Sequence, residues 1–253
     1  MLKTRVMPCL LLRNAALVKT IQFKDPGYIG DPINAIRIYN EKEVDELIFL
    51  DITATTEGKK PPFKIIENIA SECFMPVAYG GGVRDIADVK QIFSLGIEKI
   101  SLNSYAVENP QFVRQVADTF GAQSVVVSID AKKKLFGRYE VRTQGGRKGS
   151  GLDPVRFAVE MEEMGAGEIL LTSIDRDGTM EGYDTELIQQ VTSAVGIPVI
   201  ASGGAGKVED FGKAVREGGA SAVAAGSMVV YYGRNRAVLI TFPSRQELEN
   251  ELD

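Results

Sequence analysis

The sequence predicts an α/β protein of the closed (β/α)8 barrel class, also called a TIM barrel. Three observations carry that prediction. Eight short runs rich in Val, Ile and Leu alternate with eight longer amphipathic stretches, with no linker between them. Several runs are apolar nearly throughout, as parallel strands buried on both faces must be. Landmarks also recur at one fixed offset: Asp31 and Asp153, Glu46 and Glu168, Pro76 and Pro198, and Gly82 and Gly204 are each 122 residues apart. Strand–helix units share a grammar, but that grammar does not fix a constant offset. The chain therefore reads as two fused half-barrels, about residues 1–122 and 123–245, within a single domain 1–253. An open doubly wound sheet is the structural alternative.

Taken in order, the first strand is RVMPCLLL (5–12). Asp31-Pro32 then places a capping residue before a proline at the first turn of a helix over 32–44. ELIFLDI (46–52) is the second strand and leads to a helix over 62–73. MPVAY (75–79) is the third; it runs into three glycines, 80–82, before a helix over 85–95. EKISLN (98–103) is the fourth, and Asn109-Pro110 opens the helix over 109–120 with Asn109 as its cap. QSVVVSID (123–130) is the fifth. After it comes an insertion, AKKKLFGRYEVRTQGGRKGSG (131–151), with seven Lys or Arg against one Glu. Asp153-Pro154 opens a helix over 154–164. EILLTSID (168–175) is the sixth strand, before a helix over 184–195. IPVIAS (197–202) is the seventh; it enters Gly203-Gly204-Ala205-Gly206 ahead of a helix over 207–217. SAVAAGS (221–227) is the eighth, and a helix over 244–252 closes the chain.

Composition narrows the function. A net charge of −5 argues against a nucleic-acid binder as a whole. Cys9 and Cys73 fall on separate elements, which fits a reducing, cytoplasmic setting without a disulfide framework. No run of 18 apolar residues exists to span a membrane, and the N-terminus lacks a signal-peptide pattern. There is no histidine, so the commonest general base and metal ligand are both missing. No metal or other cofactor is expected, and acid–base work falls to Asp, Glu, Lys, Tyr or Cys.

In a barrel, the loops leaving the C-terminal strand ends build the active site. Gly81 and Gly82 follow the third strand, and Asn103 and Ser104 end the fourth. Gly203 and Gly204 follow the seventh, and Gly226 and Ser227 end the eighth. Glycine lets a backbone approach an anion closely, and hydroxyl and amide side chains add donors. The repeat thus implies two anion sites on opposite sides of one mouth, suited to a small molecule with a phosphate at each end. The plainer alternative is that these glycines only make tight turns.

These motifs make the chain identifiable. GDP (30–32), DELIFLDITAT (45–55), GGGV (80–83), SLNSYAVENP (101–110), VVVSIDAK (125–132), GAGEILLTSIDRDGT (165–179), GYD (182–184) and IASGGAG (200–206) resemble the cyclase subunit of imidazole glycerol phosphate synthase over about residues 1–230. The resemblance implies a partner: a glutaminase subunit docked as a heterodimer on the N-terminal barrel face, whose ammonia crosses the barrel to the opposite mouth. It assigns Arg5, Glu46, Lys99 and Glu168 to a charged ring guarding that entrance. Without the resemblance, the same four charges would read as a salt-bridge ring sealing the barrel floor. The resemblance further places Lys19, Asp177 and Gly178 among the substrate-binding residues, and Asp130, at the end of the fifth strand, as a catalytic carboxylate.

One departure stands out. The family pairs Asp130 with a second aspartate at the end of the first strand, where it reads Cys-Leu-Asp-Val. Here the residues are Cys9-Leu10-Leu11-Leu12. Leucine can neither carry nor exchange a proton. Lys19 and Phe23 still match, so the alignment is in register, although the family's Asp-Gly is Asn14-Ala15 here. Asp51, Asp175 and Asp177 lie at neighbouring strand ends, each able to replace the missing acid or to cap a loop. PCLLL, KDPGYIGDPINAI, DRDGTMEGYD and RAVLITFPSRQELE instead resemble a paralogous branch associated with bacterial surface-polysaccharide (O-antigen) synthesis. That branch is linked to converting an acetamido group on a sugar to an acetamidino group, with a glutaminase-like partner and a third, amidotransferase-type protein. An ordinary cyclase of histidine synthesis, and a non-catalytic ammonia conduit that activates its glutaminase, are the alternatives. The basic insertion could attract a nucleotide diphosphate sugar or be a solvated hairpin. Tyr231, Tyr232 and Phe242 read as exposed and able to dock a partner, or as cover for the barrel flank.

Overall fold

The computed structural model describes residues 4–252, so residues 1–3 and 253 of the expected domain lie outside the described residues. The elements run β1 (Arg5–Arg13), β2 (Ala16–Ile21), β3 (Lys24–Gly30), α1 (Pro32–Glu41), β4 (Leu47–Asp51), α2 (Phe63–Glu72), β5 (Val77–Gly80) and α3 (Ile86–Ser94). They continue β6 (Lys99–Leu102), α4 (Ser104–Glu108), α5 (Pro110–Phe120), β7 (Val125–Lys133), β8 (Tyr139–Thr143), β9 (Lys148–Gly149), α6 (Pro154–Glu163) and β10 (Glu168–Ser173). The chain ends with α7 (Thr185–Thr192), β11 (Val199–Ser202), α8 (Val208–Arg216), β12 (Ala222–Ala225), α9 (Ser227–Val230), β13 (Tyr231–Tyr232), β14 (Ala237–Val238) and α10 (Arg245–Leu252).

Eight of these strands close a parallel barrel in the order β1, β4, β5, β6, β7, β10, β11, β12 and back to β1. The closing pair sets Arg5 against Ala222 and Pro8 against Ala225. Closure removes the free edges that an open sheet would leave unpaired. The alternation of strand side chains produces two separate cores. Met7, Cys9, Ile48, Ala78, Val126, Leu170, Ile200, Ala222 and Ala224 form the cluster inside the barrel. Their neighbours Val6, Leu10, Leu47, Phe49, Val127, Ile169, Leu171 and Val223 belong to the larger cluster between barrel and helices. This is why the strands read as apolar nearly throughout: each buries both faces.

Local chemistry sets the helix starts. Asp31 accepts from Ile33 N and Asn34 N, and Asp153 accepts from Val155 N and Arg156 N. Each satisfies donors that the first helical turn leaves open. Asp85 caps α3 through Ala87 N. Asn109 departs from expectation: it precedes α5 but makes no side-chain cap bond. Its peptide N–H instead ends the short helix α4 on Tyr105 O, so the residue joins two helices.

Three further segments add to the eight strand–helix units, the second of them a hairpin as the sequence reading has it. The segment after β1 is a hairpin, β2–β3, that folds back across the mouth. The basic insertion extends β7 and returns as β8 and β9. The segment after β12 carries a small hairpin, β13–β14. There Tyr232 is exposed and Tyr231 half-buried, but Phe242 is only 7% exposed and joins the outer core. Its burial corrects the reading of Phe242 as a surface residue. Among the described residues, no helix is long and apolar enough to cross a membrane.

Candidate active site

At the C-terminal strand ends the eight loops enclose one cavity. Asp130, Lys19, Gly81, Gly82, Asn103, Ser104, Asp177, Gly178, Gly203, Gly204, Gly226 and Ser227 all line it. Backbone geometry explains two of the glycines. Gly81 has φ 126°, and a Cβ there would lie 2.7 Å from Asp51 O. Gly204 has φ 119°, and a Cβ would collide with Gly182 O. Any side chain at either position would force the loop away from its neighbour. Ser227 Oγ is buried without a partner, which leaves a hydroxyl at the end of β12 with no protein group to bond.

Asp130 is 9% exposed and sits where β7 meets β10, paired with Thr172. Burial pushes its carboxyl up to about 7, and the nearby Asp177 adds to the rise while Ser128 opposes it. The group is thus divided between acid and base forms near neutral pH, the condition for general acid–base work. Leu11 lines the same cavity and pairs with Leu50 of β4. An apolar wall therefore stands at the end of β1.

The β2–β3 hairpin brings Lys19 into the mouth. Its ammonium lies 2.7 Å from Asp177 Oδ1, and Thr20 Oγ1 donates to Asp177 Oδ2 at 3.0 Å. Gln22 N donates to Asp177 O, and Gln22 Nε2 donates to Asp175 O. The hairpin is therefore latched to the loop after β10 by charge and backbone together. Both members of the Lys19–Asp177 pair are buried. Of the other acids at the strand ends, Asp51 caps its own loop through Thr53 N and Ala54 N, and Asp175 accepts from Lys133 N. Cys9, just below, has its thiol pushed up to about 12 by burial, with Lys19 opposing, so it is no nucleophile at neutral pH.

At the opposite end of the barrel, Arg5, Glu46, Lys99 and Glu168 form a closed ring. Arg5 bonds Glu46 at 2.7 Å and Glu168 at 2.9 Å. Lys99 bonds the same two carboxylates at 2.9 and 3.2 Å. Burial works against the Arg5 charge, but Glu168 and Glu46 outweigh it and hold the guanidinium pKa above its ordinary value. Glu168 Oε2 keeps one buried face without a partner. Directly above lie Met7, Ile48, Ala78, Val126, Leu170, Ile200 and Ala222.

Sequence reasoning did not single out several lining residues: Thr55, Thr56, Arg84, Tyr105, Ser128, Arg147 and Thr172. Arg84 directly follows the GGGV motif, and Arg147 lies in the basic insertion, so two of these had a visible signal. Ser128 and Thr172 depend on which strand faces turn inward, and Thr55, Thr56 and Tyr105 on how the segments beyond the strand ends fold over the mouth.

Residues 5–235 match the family model described as histidine biosynthesis protein. A Pseudomonas aeruginosa protein, provisionally named imidazole glycerol phosphate synthase subunit hisF2, is 49% identical over 98% of this chain and 99% of its own. A Leptospira interrogans protein with a similar provisional name is 48% identical over 98% of each chain. The imidazole glycerol phosphate synthase subunit HisF of Caulobacter vibrioides is 50% identical over 90% of this chain and 88% of its own.

Proposed function

Because the chain belongs to the histidine biosynthesis protein family, as a relative of the cyclase subunits of imidazole glycerol phosphate synthase, we propose that it is the ammonia-accepting subunit of a glutamine amidotransferase complex specialised for acetamidino-sugar formation. In this reading a glutaminase docks on the face carrying the Arg5–Glu46–Lys99–Glu168 ring. Ammonia enters there, crosses the barrel, and meets a phosphorylated substrate held at the glycine-rich mouth. Asp130 moves the proton. The ammonia is then used on a sugar in this barrel or passed to a third protein. A cytoplasmic setting fits the free thiols of Cys9 and Cys73.

The observation that carries the specialised reading is Leu11. An acid–base carboxylate contributes about 10²–10⁴-fold in rate. Of the two other acids lining the cavity, Asp177 is committed to Lys19 and Thr20, and Asp51 caps its own loop. Parent cyclisation at a useful speed is hard to sustain with the Leu11 wall in place. One fact favours a second reading, the ordinary cyclase of histidine synthesis: the 50% identity to the Caulobacter vibrioides subunit. A direct assay separates the two. With the family's phosphoribosyl substrate and ammonium salt, turnover is expected to fall at least about a hundredfold below that of the Caulobacter vibrioides subunit. Leu11→Asp should recover part of the difference. Equal turnover by the unaltered protein would overturn the specialised reading. If the barrel is only a conduit, Asp130→Asn leaves product formation by the complex unchanged; we expect a large loss.

A further inference from the structure

The two glycine-rich sides of the mouth differ in charge. On the β11–β12 side the lining is Ser202, Gly203, Gly204, Ala205, Gly226 and Ser227, all neutral, and the nearby Lys19 is neutralised by Asp177. On the β5–β7 side two guanidinium groups, Arg84 and Arg147, line the cavity. Neither side chain forms an ion pair or hydrogen bond with any described residue. Asp51, the acid on that side, has its Oδ1 spent on Thr53 N, Thr53 Oγ1 and Ala54 N.

Arg84 and the turn carrying Arg147 both contact one short loop. Arg84 lies over the Tyr105 ring, with Cζ 5.8 Å from its centroid. The turn that carries Arg147 is tied down when Gln144 N donates to Ser104 Oγ at 2.9 Å. Asn103 Nδ2 reaches the carbonyls of Ser128 and Arg142, at 3.0 and 3.4 Å. The loop Asn103–Tyr105 thus has the Arg84 guanidinium against it and anchors the turn that carries Arg147, beside the glycines after β5. A single phosphate is met by glycine-loop N–H groups and a hydroxyl. Two unpaired guanidiniums, each able to grip an anion with a bidentate fork, exceed what one phosphate needs.

We propose that the β5–β7 side of the mouth is a diphosphate subsite formed by Arg84 and Arg147 about the Asn103–Tyr105 loop, while the β11–β12 side takes a single phosphate. This deepens the functional reading above and rests on its placing of an anionic substrate at the mouth. The unequal sides set the direction in which that substrate lies across Asp130.

The test is calorimetric titration of the full chain with inorganic phosphate and with pyrophosphate at one fixed ionic strength. Pyrophosphate is expected to bind at least about tenfold more tightly. Arg84→Ala and Arg147→Ala should each weaken pyrophosphate about tenfold while changing phosphate far less, and Arg147→Lys should lose part of that. Arg138→Ala removes the same charge from the exposed end of the hairpin and should change neither anion. Equal affinity for the two anions would overturn the proposal, as would no binding of either. So would an equal loss in Arg138→Ala, which would make the attraction diffuse. No turnover is needed for the measurement. A protein that binds pyrophosphate as expected but transfers no ammonia defeats the functional reading alone; one that transfers ammonia but binds both anions alike defeats the subsite alone.

Discussion

In the proposed function Asp130 moves the proton, and its burial suits it to that role. A carboxyl pushed up to about 7 by burial should give the pH–rate profile a limb near that value, and Asp130→Asn should abolish the limb with the activity. The raised value also affects stability, with a definite sign. The folded state holds its proton to about pH 7, while the unfolded chain releases it near 3.8. The contribution is therefore full below about pH 4, declines as pH rises to about 7, and is lost above that. Within that window each pH step of one is worth roughly 1.4 kcal/mol. Denaturant midpoints of wild type and Asp130→Asn should diverge through the same window in favour of the variant. Lys19 makes a second case. Removing it leaves Asp177 buried without its cation, and breaking such a pair costs about 3–5 kcal/mol. Lys19→Met should show that loss in urea unfolding. Lys19→Met combined with Asp177→Leu should recover most of it, because no lone charge then remains.

Among the elements, the loops after β5 and β11 and the β2–β3 hairpin decide what the mouth can hold. The loop after β11 depends on Gly204. A methyl group there meets Gly182 O, and φ 119° is itself unfavourable for any side chain. Gly204→Ala is expected to lower the melting temperature by several degrees and to weaken phosphate binding about tenfold, while the helices keep their circular dichroism. The hairpin matters differently. Its hold on the mouth includes side chains reaching across 157 and 158 positions of sequence, Thr20 and Lys19 to Asp177. The apolar pattern of ALVKTI does not reveal that contact.

For the whole molecule, the barrel joins two chemistries at opposite ends of one axis. The floor is a closed square of two cations and two carboxylates, and the mouth is a glycine-lined cavity around Asp130. Glu46→Gln removes one of the two acids that Arg5 and Lys99 share, and should lower stability by about 3 kcal/mol in denaturant unfolding. If the ring also admits ammonia, that variant should lose glutamine-driven product while keeping ammonium-driven product; equal loss of both would make the ring purely structural. The eight strands and most helix starts were legible in the sequence, within a few residues at each end. Doubly buried strands must be apolar, and Asp-Pro places a cap and a proline together. The glycine loops were legible for the same reason, a residue type required at one point of the chain, whereas Asp130 and Leu11 stood out only through the resemblance to the family. What needed tertiary structure was every relation between distant points: the pairing of Lys19 with Asp177, the burial of Phe242, and the anchoring of Arg84 and of the Arg147 turn on one loop. Periodicity specifies which face of an element is buried. Only barrel closure, by setting the register of each strand on the next, specifies which side chains then meet.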